Sequence, residues 1–402
     1  MAFQLVGAAP PSLPMQMISD APRDGSHMTN PDSGSADILV IGAGIVGLAC
    51  AYEAVERGLS VIVVERDARA TGASIRNFGH ACATAQSGKA LEYGRIARTT
   101  WLRLAEEAKF WAQRTGTLMV ARAEDELAVL EEFAGLRADE ARMLTPAEVA
   151  ERASFGPGVV GGAWLPNDLR VDPRESVPKI AEYLAGRGVR FRWSTTAHDI
   201  EPGRVATSRG VLRAEQVIVA TGHDVDRHFP GLAAEHGVQR CALRMLRVDN
   251  PTGRAVEPAV QTGFSMLRYG GFAECPSLPA LRDRLTRETP DLVAIGLNLM
   301  FTQRPDGTLT IGDTHSYATT LLPFEDEELD AAVLRETAKL LGVERLTVRE
   351  RWRGVYASAP EPFLAATPAE GVHVAAVTAG VGMTTGFGFG REIVSQALSG
   401  RV

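Results

Sequence analysis

Cysteine is scarce in this chain, and the few cysteines that occur form no recognisable pattern. The 402-residue sequence has 4 cysteines, Cys50, Cys82, Cys241 and Cys275, and no two of them are spaced as CxxC. Zinc sites and disulfide frameworks use cysteines in recurring spacings, so neither is expected and no metal site is predicted. This usage favours a reducing cytoplasm as the compartment.

Long apolar runs and an excess of positive charge are also absent. No stretch approaches the ~20 apolar residues that a membrane-spanning helix needs. Lys and Arg number 42 against 49 Asp and Glu, which gives a formal net charge of −7 at pH 7. This balance gives no electrostatic reason to bind nucleic acid or an anionic membrane. With 45% hydrophobic residues, the composition is that of a globular protein long enough for two domains.

The first 35 residues differ in composition from the rest. Residues 1–35 are rich in Pro, Ser, Gly, Asp and Met, and they lack the charged and apolar regions of a secretory signal. We expect this tail to be disordered. Within it, GSHM at 25–28 resembles an expression-vector remnant, and Met28 is a candidate native start.

The stretch from Asp37 to Arg66 carries the clearest motif in the chain. A short apolar run precedes Gly42, Gly44 and Gly47 in GxGxxG spacing, and a helical pattern and a second apolar run follow. This order predicts a βαβ unit that binds a dinucleotide, with its pyrophosphate at the helix N-terminus. Glu65 ends the second run, close to the ~20-residue spacing expected of an acid that binds ribose hydroxyls. An acid there favours NAD or FAD over NADP; the alternative is a Gly-rich turn in an ordinary βαβ unit.

The next segment, residues 71–88, is a loop without helical or strand periodicity. Loops of this length in a compact domain are usually functional, and this one directly follows the predicted nucleotide unit. Ser74, Arg76 and Asn77 could bond phosphate or ring edges, and Gly79 permits close approach of the backbone. The alternative is a surface connection, which Ile75 and other apolar side chains disfavour.

The remaining pattern alternates helices and strands without an internal repeat. An apolar strand ends in the small-residue turn Ala220, Thr221 and Gly222, and a Gly-rich stretch at 379–390 precedes a closing helix at 391–398. Other predictions include helices at 138–143 and 325–341 and strands at 260–269, 294–303 and 348–357.

Four segments in this order resemble one known family. They are GAGIVG at 42–47 with Glu65, GASIRNFG at 72–79, VIVATG at 217–222 and AGVGMTTGFGFG at 379–390, the last following Trp352 to Tyr356. The order is similar to that of the D-amino acid oxidase superfamily, in the branch of glycine oxidase and sarcosine oxidase, across residues 36–400. The resemblance implies an elaborated α/β fold. A discontinuous Rossmann-like FAD-binding domain would comprise 36–92, 158–238 and 345–402, and a mainly antiparallel substrate domain 93–157 and 239–344.

The same resemblance implies FAD as the cofactor. Gly354 stands where covalent sarcosine oxidases carry a cysteine near this strand, so the FAD is predicted to be noncovalent. Val171 matches a position whose backbone meets the adenine, and residues 380–384 match a loop at the flavin ring. The implied cofactor-binding residues are Gly42, Ala43, Gly44, Ile45, Val46, Glu65, Arg66, Ser74, Arg76, Asn77, Phe78, Gly79, Val171, Ala220, Thr221, Gly222, Gly380, Val381, Gly382, Met383 and Thr384.

A narrower resemblance concerns the substrate. GASIRNFGHACATAQSG at 72–88 and IGDTHSYATT at 311–320 resemble a branch associated with phosphonate catabolism, whose substrates are small aminophosphonates such as N-methyl-2-aminoethylphosphonate. Amino acid oxidases of this family place a carboxylate-binding Arg where this chain has Tyr356. The predicted reaction is hydride transfer from a small anionic amine to flavin N5, which gives an imine that hydrolyses. Oxygen or another acceptor would then reoxidise the flavin.

Candidate catalytic residues follow from the need for an anion clamp and a polar group near the amine. They are Tyr356, Arg353, His80, His315 and Arg76. Arg268 and Tyr269 are further candidates, although Arg268 is predicted to be a surface arginine. Either histidine could instead be a hydrogen-bonded structural residue, Tyr356 could be core, and Cys82 is predicted to be small, buried and unreactive.

Three alternatives stay open at this point. The substrate could be glycine, sarcosine or a D-amino acid. The protein could be a nicotinamide-dependent dehydrogenase, which the N-terminal motif alone permits and the C-terminal glycine stretch disfavours. It could also be a flavin-binding subunit of a larger complex without turnover of its own. The sequence leaves the oligomeric state undetermined.

Overall fold

The computed structural model describes residues 34–399. Two predictions, the disordered tail at 1–35 and the vector-like segment at 25–28, fall on residues outside this range. Residues 34 and 35 are the exception, because they belong to the predicted tail and are described. The first strand begins at the last of these, Ser35.

Nineteen strands, twelve α-helices and four short 3-10 helices occur within this described part of the chain. The strands are β1 (Ser35–Ile41), β2 (Val61–Val64), β3 (His80–Ala81), β4 (Ala112–Gln113), β5 (Thr117–Ala121), β6 (Arg142–Leu144), β7 (Gly161–Leu165), β8 (Leu169–Val171), β9 (Arg190–Arg192), β10 (Ala197–Glu201), β11 (Arg204–Thr207), β12 (Gly210–Val219), β13 (Gln239–Val248), β14 (Ala259–Gln261), β15 (Met300–Gln303), β16 (Leu309–Gly312), β17 (Ser316–Ala318), β18 (Val348–Ala369) and β19 (Val372–Ala379). The helices are α1 (Ile45–Glu56), α2 (Gly88–Ala108), α3 (Glu124–Arg137), α4 (Pro146–Arg152), α5 (Pro173–Gly186), α6 (Val225–His228), α7 (Pro230–Glu235), α8 (Gly263–Met266), α9 (Leu278–Glu288), α10 (Pro290–Ala294), α11 (Glu327–Leu341) and α12 (Gly382–Ser399).

A 16-stranded sheet organises the molecule in the order β6-β7-β5-β14-β15-β16-β13-β18-β19-β12-β1-β2-β9, with β10, β11 and β17 paired beside it. The segment β19-β12-β1-β2-β9 is parallel, as βαβ connections require. The remainder is antiparallel apart from the β5–β14 pair. A small sheet, β3-β8-β4, completes the fold. The α/β fold class with a mainly antiparallel second part is thereby confirmed.

One long strand joins the two parts of the sheet. The first half of β18 pairs with β13, and its second half pairs with β19 in the parallel region. The predicted strand at 348–357 is therefore only the first half of a 22-residue strand. Because a single sheet spans both predicted domains, the division between them stays a prediction.

The closing helix is longer than predicted. Helix α12 begins at Gly382 rather than at residue 391, so most of the Gly-rich stretch is helical. A Cβ at Gly388 would lie 2.4 Å from Cα of Tyr93, and one at Gly390 would lie 2.8 Å from Cβ of Ala49. The glycines therefore let α12 pack against α1 and α2 at a distance that side chains would prevent.

Three other segment predictions are also wrong. The predicted helix at 138–143 is a short 3-10 turn followed by strand β6. The predicted strand at 260–269 ends at Gln261, because Thr262 caps helix α8. The strand predicted from residue 294 begins only at Met300. Among the described residues, no helix is long and apolar enough to cross a membrane.

Candidate cofactor and substrate site

A cavity of about 530 Å³ lies at the carboxyl ends of the parallel strands. Ile41 and Val64, which end β1 and β2, line it, together with residues that follow β12 and β19. In open parallel sheets, ligands bind at this edge, where neighbouring connections leave in opposite directions. The volume is in the usual range for small-molecule and cofactor sites.

The glycines of the first motif shape one wall of the cavity. Gly42 has a φ of +107°, and a Cβ there would lie 2.5 Å from the carbonyl oxygen of Ala220. A Cβ at Gly47 would lie 1.9 Å from the carbonyl oxygen of Gly42. Helix α1 begins beside Gly44, so its N-terminus faces the space where a pyrophosphate is expected. The Ser74 hydroxyl accepts a hydrogen bond from the Ile45 amide at 2.9 Å, which fixes the 71–88 loop against this helix end.

Glu65 lies where a ribose-binding acid is expected. Its carboxylate accepts hydrogen bonds from the Ala43 amide at 2.9 Å and from the Asp67 amide at 3.1 Å. Glu65 also lines the cavity. Because a carboxylate offers about four acceptor positions, these two bonds orient it and leave capacity for hydroxyl groups of a ligand.

The same end of the cavity has residues that the sequence reasoning missed. Asp224 is buried and accepts hydrogen bonds from Arg66 at 2.6 Å, Arg227 at 2.8 Å and Arg240 at 3.1 Å. Burial alone would raise the pKa of Asp224, but hydrogen bonds from the arginines and the charge of His223 outweigh it and hold the pKa well below its usual range. Other lining residues that were not predicted include Asp67, Ala70, Thr195, Thr196, Ala197, His198, His223, Arg227 and His228.

The other end of the cavity lies between helix α12 and the junction of β13 with β18. Gly380, Gly382 and Met383 line it on the helix side. Leu243, Gly354 and Tyr356 line it on the sheet side. The Met383 carbonyl accepts a hydrogen bond from the Trp101 indole at 2.8 Å, which anchors the first turn of α12. A helix N-terminus therefore points toward this end of the cavity.

Most of the predicted cofactor residues line the cavity. They are Gly42, Gly44, Ile45, Val46, Glu65, Arg66, Ser74, Arg76, Asn77, Ala220, Thr221, Gly222, Gly380, Gly382 and Met383. Tyr356 is the predicted catalytic residue that joins Arg76 there. Six predicted cofactor residues lie outside the lining, namely Ala43, Phe78, Gly79, Val171, Val381 and Thr384.

Several of those six form hydrogen bonds between elements that surround the cavity. The Gly79 carbonyl accepts a hydrogen bond from the Val171 amide at 2.8 Å. The Thr384 hydroxyl accepts one from the Cys82 amide at 3.1 Å, and the Phe78 carbonyl accepts one from the Thr302 hydroxyl at 2.8 Å. These bonds tie the 71–88 loop to the small sheet, to helix α12 and to the antiparallel region.

Arg268, predicted to be a surface residue, is half-buried beside Tyr356. Its guanidinium donates to the Tyr356 hydroxyl at 3.1 Å and to the Tyr317 hydroxyl at 3.1 Å. Within residues 34–399 no carboxylate lies within 4.0 Å of this guanidinium, whereas many other arginines have such a partner. A half-buried cation without a counter-ion, next to a cavity, is suited to bind an anion.

A buried acid and a buried histidine lie near Arg268. Burial raises the pKa of Asp313 to about 7, although Arg268 and a hydrogen bond from Asn298 lower it. Burial and the charge of Arg268 lower the pKa of His315 to about 3, so His315 is neutral at pH 7. The His315 Nδ1 atom lies 2.8 Å from the Gly296 carbonyl oxygen, and its Nε2 lies 3.7 Å from an Asp313 oxygen.

Two predicted arginines are held by contacts within the protein, and three of the predicted catalytic residues lie outside the cavity lining. Arg353 lies 3.1 Å from a Glu325 oxygen and donates to the Leu322 carbonyl at 2.7 Å. The Arg76 guanidinium donates to the Arg353 carbonyl at 3.3 Å. His80, His315 and Arg353 do not line the cavity.

His80 belongs to a buried polar cluster behind the cavity. Its Nε2 lies 2.7 Å from the Thr117 hydroxyl, which donates to Asp168 at 2.6 Å. Burial and the charge of Arg170 lower the pKa of His80 to about 3. Burial raises the pKa of the neighbouring Cys82 thiol, so the prediction of a small, buried and unreactive cysteine agrees with its surroundings.

These features suit a dinucleotide whose pyrophosphate would lie at the N-terminus of α1. The model of the DAO family, described as FAD dependent oxidoreductase, matches residues 37–396. The chain therefore belongs to this family of FAD-dependent oxidoreductases, and FAD is its cofactor. The donor set fits that cofactor, because the shielded Thr221 hydroxyl in the cavity wall has no hydrogen-bond partner among the described residues.

Individual relatives match more distantly. The chain is 27% identical over 206 residues to a bifunctional ThiO/ThiG protein from Nostoc sp., covering 46% of this chain and 31% of that protein. It is 30% identical over 208 residues to the bifunctional tRNA 5-methylaminomethyl-2-thiouridine biosynthesis protein MnmC from Chromohalobacter salexigens, covering 48% and 29%. These matches span about a third of those relatives' length. The crystal structure of glycine oxidase from Bacillus cereus superposes with a TM-score of 0.74 at 18% identity, covering 90% of this chain and 95% of that one, and so shares the fold.

Proposed function

We propose that this protein oxidises a small anionic amine, and that its substrate class is aminophosphonates such as N-methyl-2-aminoethylphosphonate. The observation that carries the proposal is Arg268, a half-buried guanidinium with two tyrosine hydroxyls beside it and no carboxylate within ion-pair distance among the described residues. A phosphonate carries up to two negative charges on three oxygens, so it can accept bonds from the guanidinium and both hydroxyls together.

In this proposal, each part of the site has a separate task. Arg268, Tyr317 and Tyr356 bind the anionic end of the substrate and orient its amine toward the α12 end of the cavity. When bound, FAD supplies the ring that accepts a hydride from the carbon beside the amine. The sheet and the 71–88 loop exclude water from this space. Residues 36–92, 158–238 and 345–402 would hold the cofactor, and 93–157 and 239–344 the substrate.

We further propose that the FAD is noncovalent. Gly354 lies in the cavity wall at the position where covalent relatives carry a cysteine. All four cysteines are buried, and none of them is in the cavity lining. Denaturation in acid should therefore release the whole of the flavin into the supernatant, whereas flavin that stays with the precipitate would contradict this part of the proposal.

The experiment that tests the function combines a substrate panel with one variant. N-methyl-2-aminoethylphosphonate, 2-aminoethylphosphonate, sarcosine, glycine and D-alanine are compared by anaerobic bleaching of the flavin and by peroxide release in air. Arg268→Met keeps the apolar stem but removes the charge, and Arg282→Met on the exposed face of α9 is the matched control.

The proposal predicts that the aminophosphonates are the best substrates. Removal of a buried charged partner weakens binding by about 2–5 kcal/mol, so Arg268→Met should lower kcat/KM by roughly 30-fold to several thousand-fold. Arg282→Met should leave it unchanged. Activity on sarcosine with none on the aminophosphonates would contradict the substrate class. A flavin that no amine reduces would favour a subunit without turnover of its own.

A further inference from the structure

A buried cluster of three residues with metal-binding side chains lies behind the cavity. A ring nitrogen of His80, the Cys82 Sγ atom and an Asp168 carboxylate oxygen all lie within 4.8 Å of one another. The three residues are 8%, 2% and 0% exposed, so the cluster is closed to solvent. Nitrogen, sulfur and oxygen donors brought together in this way are the set from which proteins build Zn²⁺ sites.

The carboxylate of Asp168 has hydrogen bonds but no cationic partner among the described residues. It accepts hydrogen bonds from the Thr84 amide at 3.0 Å and from the Thr117 hydroxyl at 2.6 Å. Burial raises the pKa of Asp168, and only hydrogen bonds oppose this effect. A buried carboxylate is unfavourable without positive charge nearby, which a bound cation would supply.

The hydrogen bonds of Thr117 leave an unused lone pair on His80. Because the Thr117 hydroxyl donates its only proton to Asp168, the His80 Nε2 atom 2.7 Å away carries a proton and donates it to Thr117. The ring is neutral at pH 7, so its Nδ1 atom is unprotonated. Nδ1 is buried and has no hydrogen-bond partner in the described part of the chain. A histidine that binds a metal usually donates its other ring N–H to a neighbouring acceptor, as His80 does here.

A second unused acceptor lies beside the sulfur atom. Gln261 is fully buried, its Nε2 atom lies 3.9 Å from Cys82 Sγ, and its Oε1 atom has no hydrogen-bond partner within residues 34–399. Gln261 and Thr117 project from the same face of the sheet, because Thr117 pairs with Ala259 and side chains alternate along a strand. Buried acceptors without partners are rare. Two of them beside a carboxylate and a thiol indicate a site that a cation completes.

We propose that this cluster binds Zn²⁺, with His80, Cys82 and Asp168 as ligands and the Gln261 amide oxygen as the fourth. The Cys82 S–H bond breaks, its proton is released to water and a Zn–S bond forms, so no oxidant or reductant is needed. Thiolate and carboxylate together neutralise the charge of the ion. Because the cluster is closed to solvent, the ion enters while the chain folds. This inference is independent of the proposed substrate.

The location of the cluster gives the ion a structural role. His80 and Cys82 lie in the 71–88 loop, Asp168 precedes β8, and Gln261 ends β14. The Cys82 amide donates a hydrogen bond to the hydroxyl of Thr384, in the first turn of α12, at 3.1 Å. Zinc would therefore fasten the loop and this helix end to the antiparallel region. The ligands form no recurring sequence spacing, which is why the cysteine pattern alone predicts no metal site.

The test measures metal in FAD-loaded protein from zinc-supplemented cells, after dialysis against EDTA has removed ions from the surface. Elemental mass spectrometry gives the zinc content per chain, and X-ray absorption at the zinc edge identifies the ligand atoms. Cys82→Ser removes the sulfur ligand, and Thr117→Val removes the hydroxyl that orients His80 while keeping the shape of the side chain. Cys275→Ser is the matched control, because Cys275 is also 2% exposed and lies outside the cluster.

The expected result is a single zinc ion per chain with one sulfur ligand. The Zn–S distance should be about 2.3 Å, and the nitrogen and oxygen ligands should lie at about 2.0–2.2 Å. Cys82→Ser should lose the sulfur signal and most of the zinc. Thr117→Val should bind zinc roughly 10–100-fold more weakly in competition with a chelator, because partners that orient a metal ligand contribute this much to affinity. Cys275→Ser should match the wild type.

Three results would overturn the inference. One is folded, FAD-loaded wild type from zinc-supplemented cells that contains no zinc. Another is bound zinc whose absorption spectrum has no sulfur ligand, which would be an adventitious ion only. The third is a folded Cys82→Ser protein with the zinc content and absorption spectrum of the wild type. If that variant does not fold, the absorption spectrum of the wild type decides, since none of its other three cysteines is in the cluster.

Discussion

Replacing a glycine of α12 by alanine should change the free energy of unfolding, and packing around the helix decides whether it rises or falls. Alanine stabilises a helix interior by about 1 kcal/mol relative to glycine when nothing obstructs it. At Gly388, however, the added Cβ would lie 2.4 Å from Cα and 2.5 Å from the carbonyl oxygen of Tyr93, and both atoms belong to the backbone of α2. Backbone cannot rotate away, so α12 and α2 must separate by about 1 Å. Overpacking of this kind destabilises by about 1–3 kcal/mol, which outweighs the gain in helix propensity.

Gly388→Ala should therefore lower the free energy of unfolding, whereas Gly135→Ala in α3 should raise it. A Cβ at Gly135 meets no atom within 4 Å, so the propensity gain acts alone. With an unfolding entropy of ~2 cal/mol/K per residue, we expect Tm to fall by roughly 1–3 °C for Gly388→Ala and to rise by about 1 °C for Gly135→Ala. Differential scanning fluorimetry and urea titration of the FAD-free protein measure both. A Gly388→Ala protein as stable as the wild type would refute this account of the glycine stretch.

Two further perturbations test the nucleotide end of the cavity. Glu65→Gln removes the negative charge that the Ala43 and Asp67 amides orient. A hydrogen bond to a charged group contributes about 1.5–3 kcal/mol, so its loss should raise the Kd for FAD roughly tenfold to a hundredfold. Flavin fluorescence on dilution measures this, and an unchanged Kd would exclude Glu65 as a ribose ligand. The pKa of Asp224 is lower in the folded than in the unfolded protein. Its contribution to the free energy of unfolding is therefore complete above the unfolded pKa near 4 and is lost as pH falls through the folded pKa. The difference in unfolding free energy between wild type and Asp224→Asn should therefore shrink between pH 5 and pH 2. A constant difference would contradict the stabilising role of the hydrogen bonds from Arg66, Arg227 and Arg240 to Asp224.

Local patterns predicted the nucleotide end because its determinants are close in sequence. Strand, glycine turn, helix and terminal acid all lie within about 30 residues, and each has a requirement that a single residue type meets. The distant contributors at 195–198 and 223–228 carried no motif. Only their place after β9 and β12 could have indicated that they reach the same sheet edge.

The α12 end of the cavity was harder to predict because strand register and helix packing create it. Arg268 meets Tyr356 only because β13 aligns Cys241 with Tyr356 on one side and with Tyr317 on the other. The extent of α12 was missed for a related reason. A glycine-rich sequence has low helix propensity, and only close packing against α1 and α2 explains why it is helical.

The most direct test of the central claim is the visible spectrum of the purified protein, recorded anaerobically before and after addition of N-methyl-2-aminoethylphosphonate. The account predicts oxidised flavin bands that bleach with this amine and that bleach far more slowly in Arg268→Met. Bands that persist with the aminophosphonate but bleach with sarcosine or a D-amino acid would contradict the proposed substrate class. Folded protein that cannot take up FAD would contradict the account as a whole.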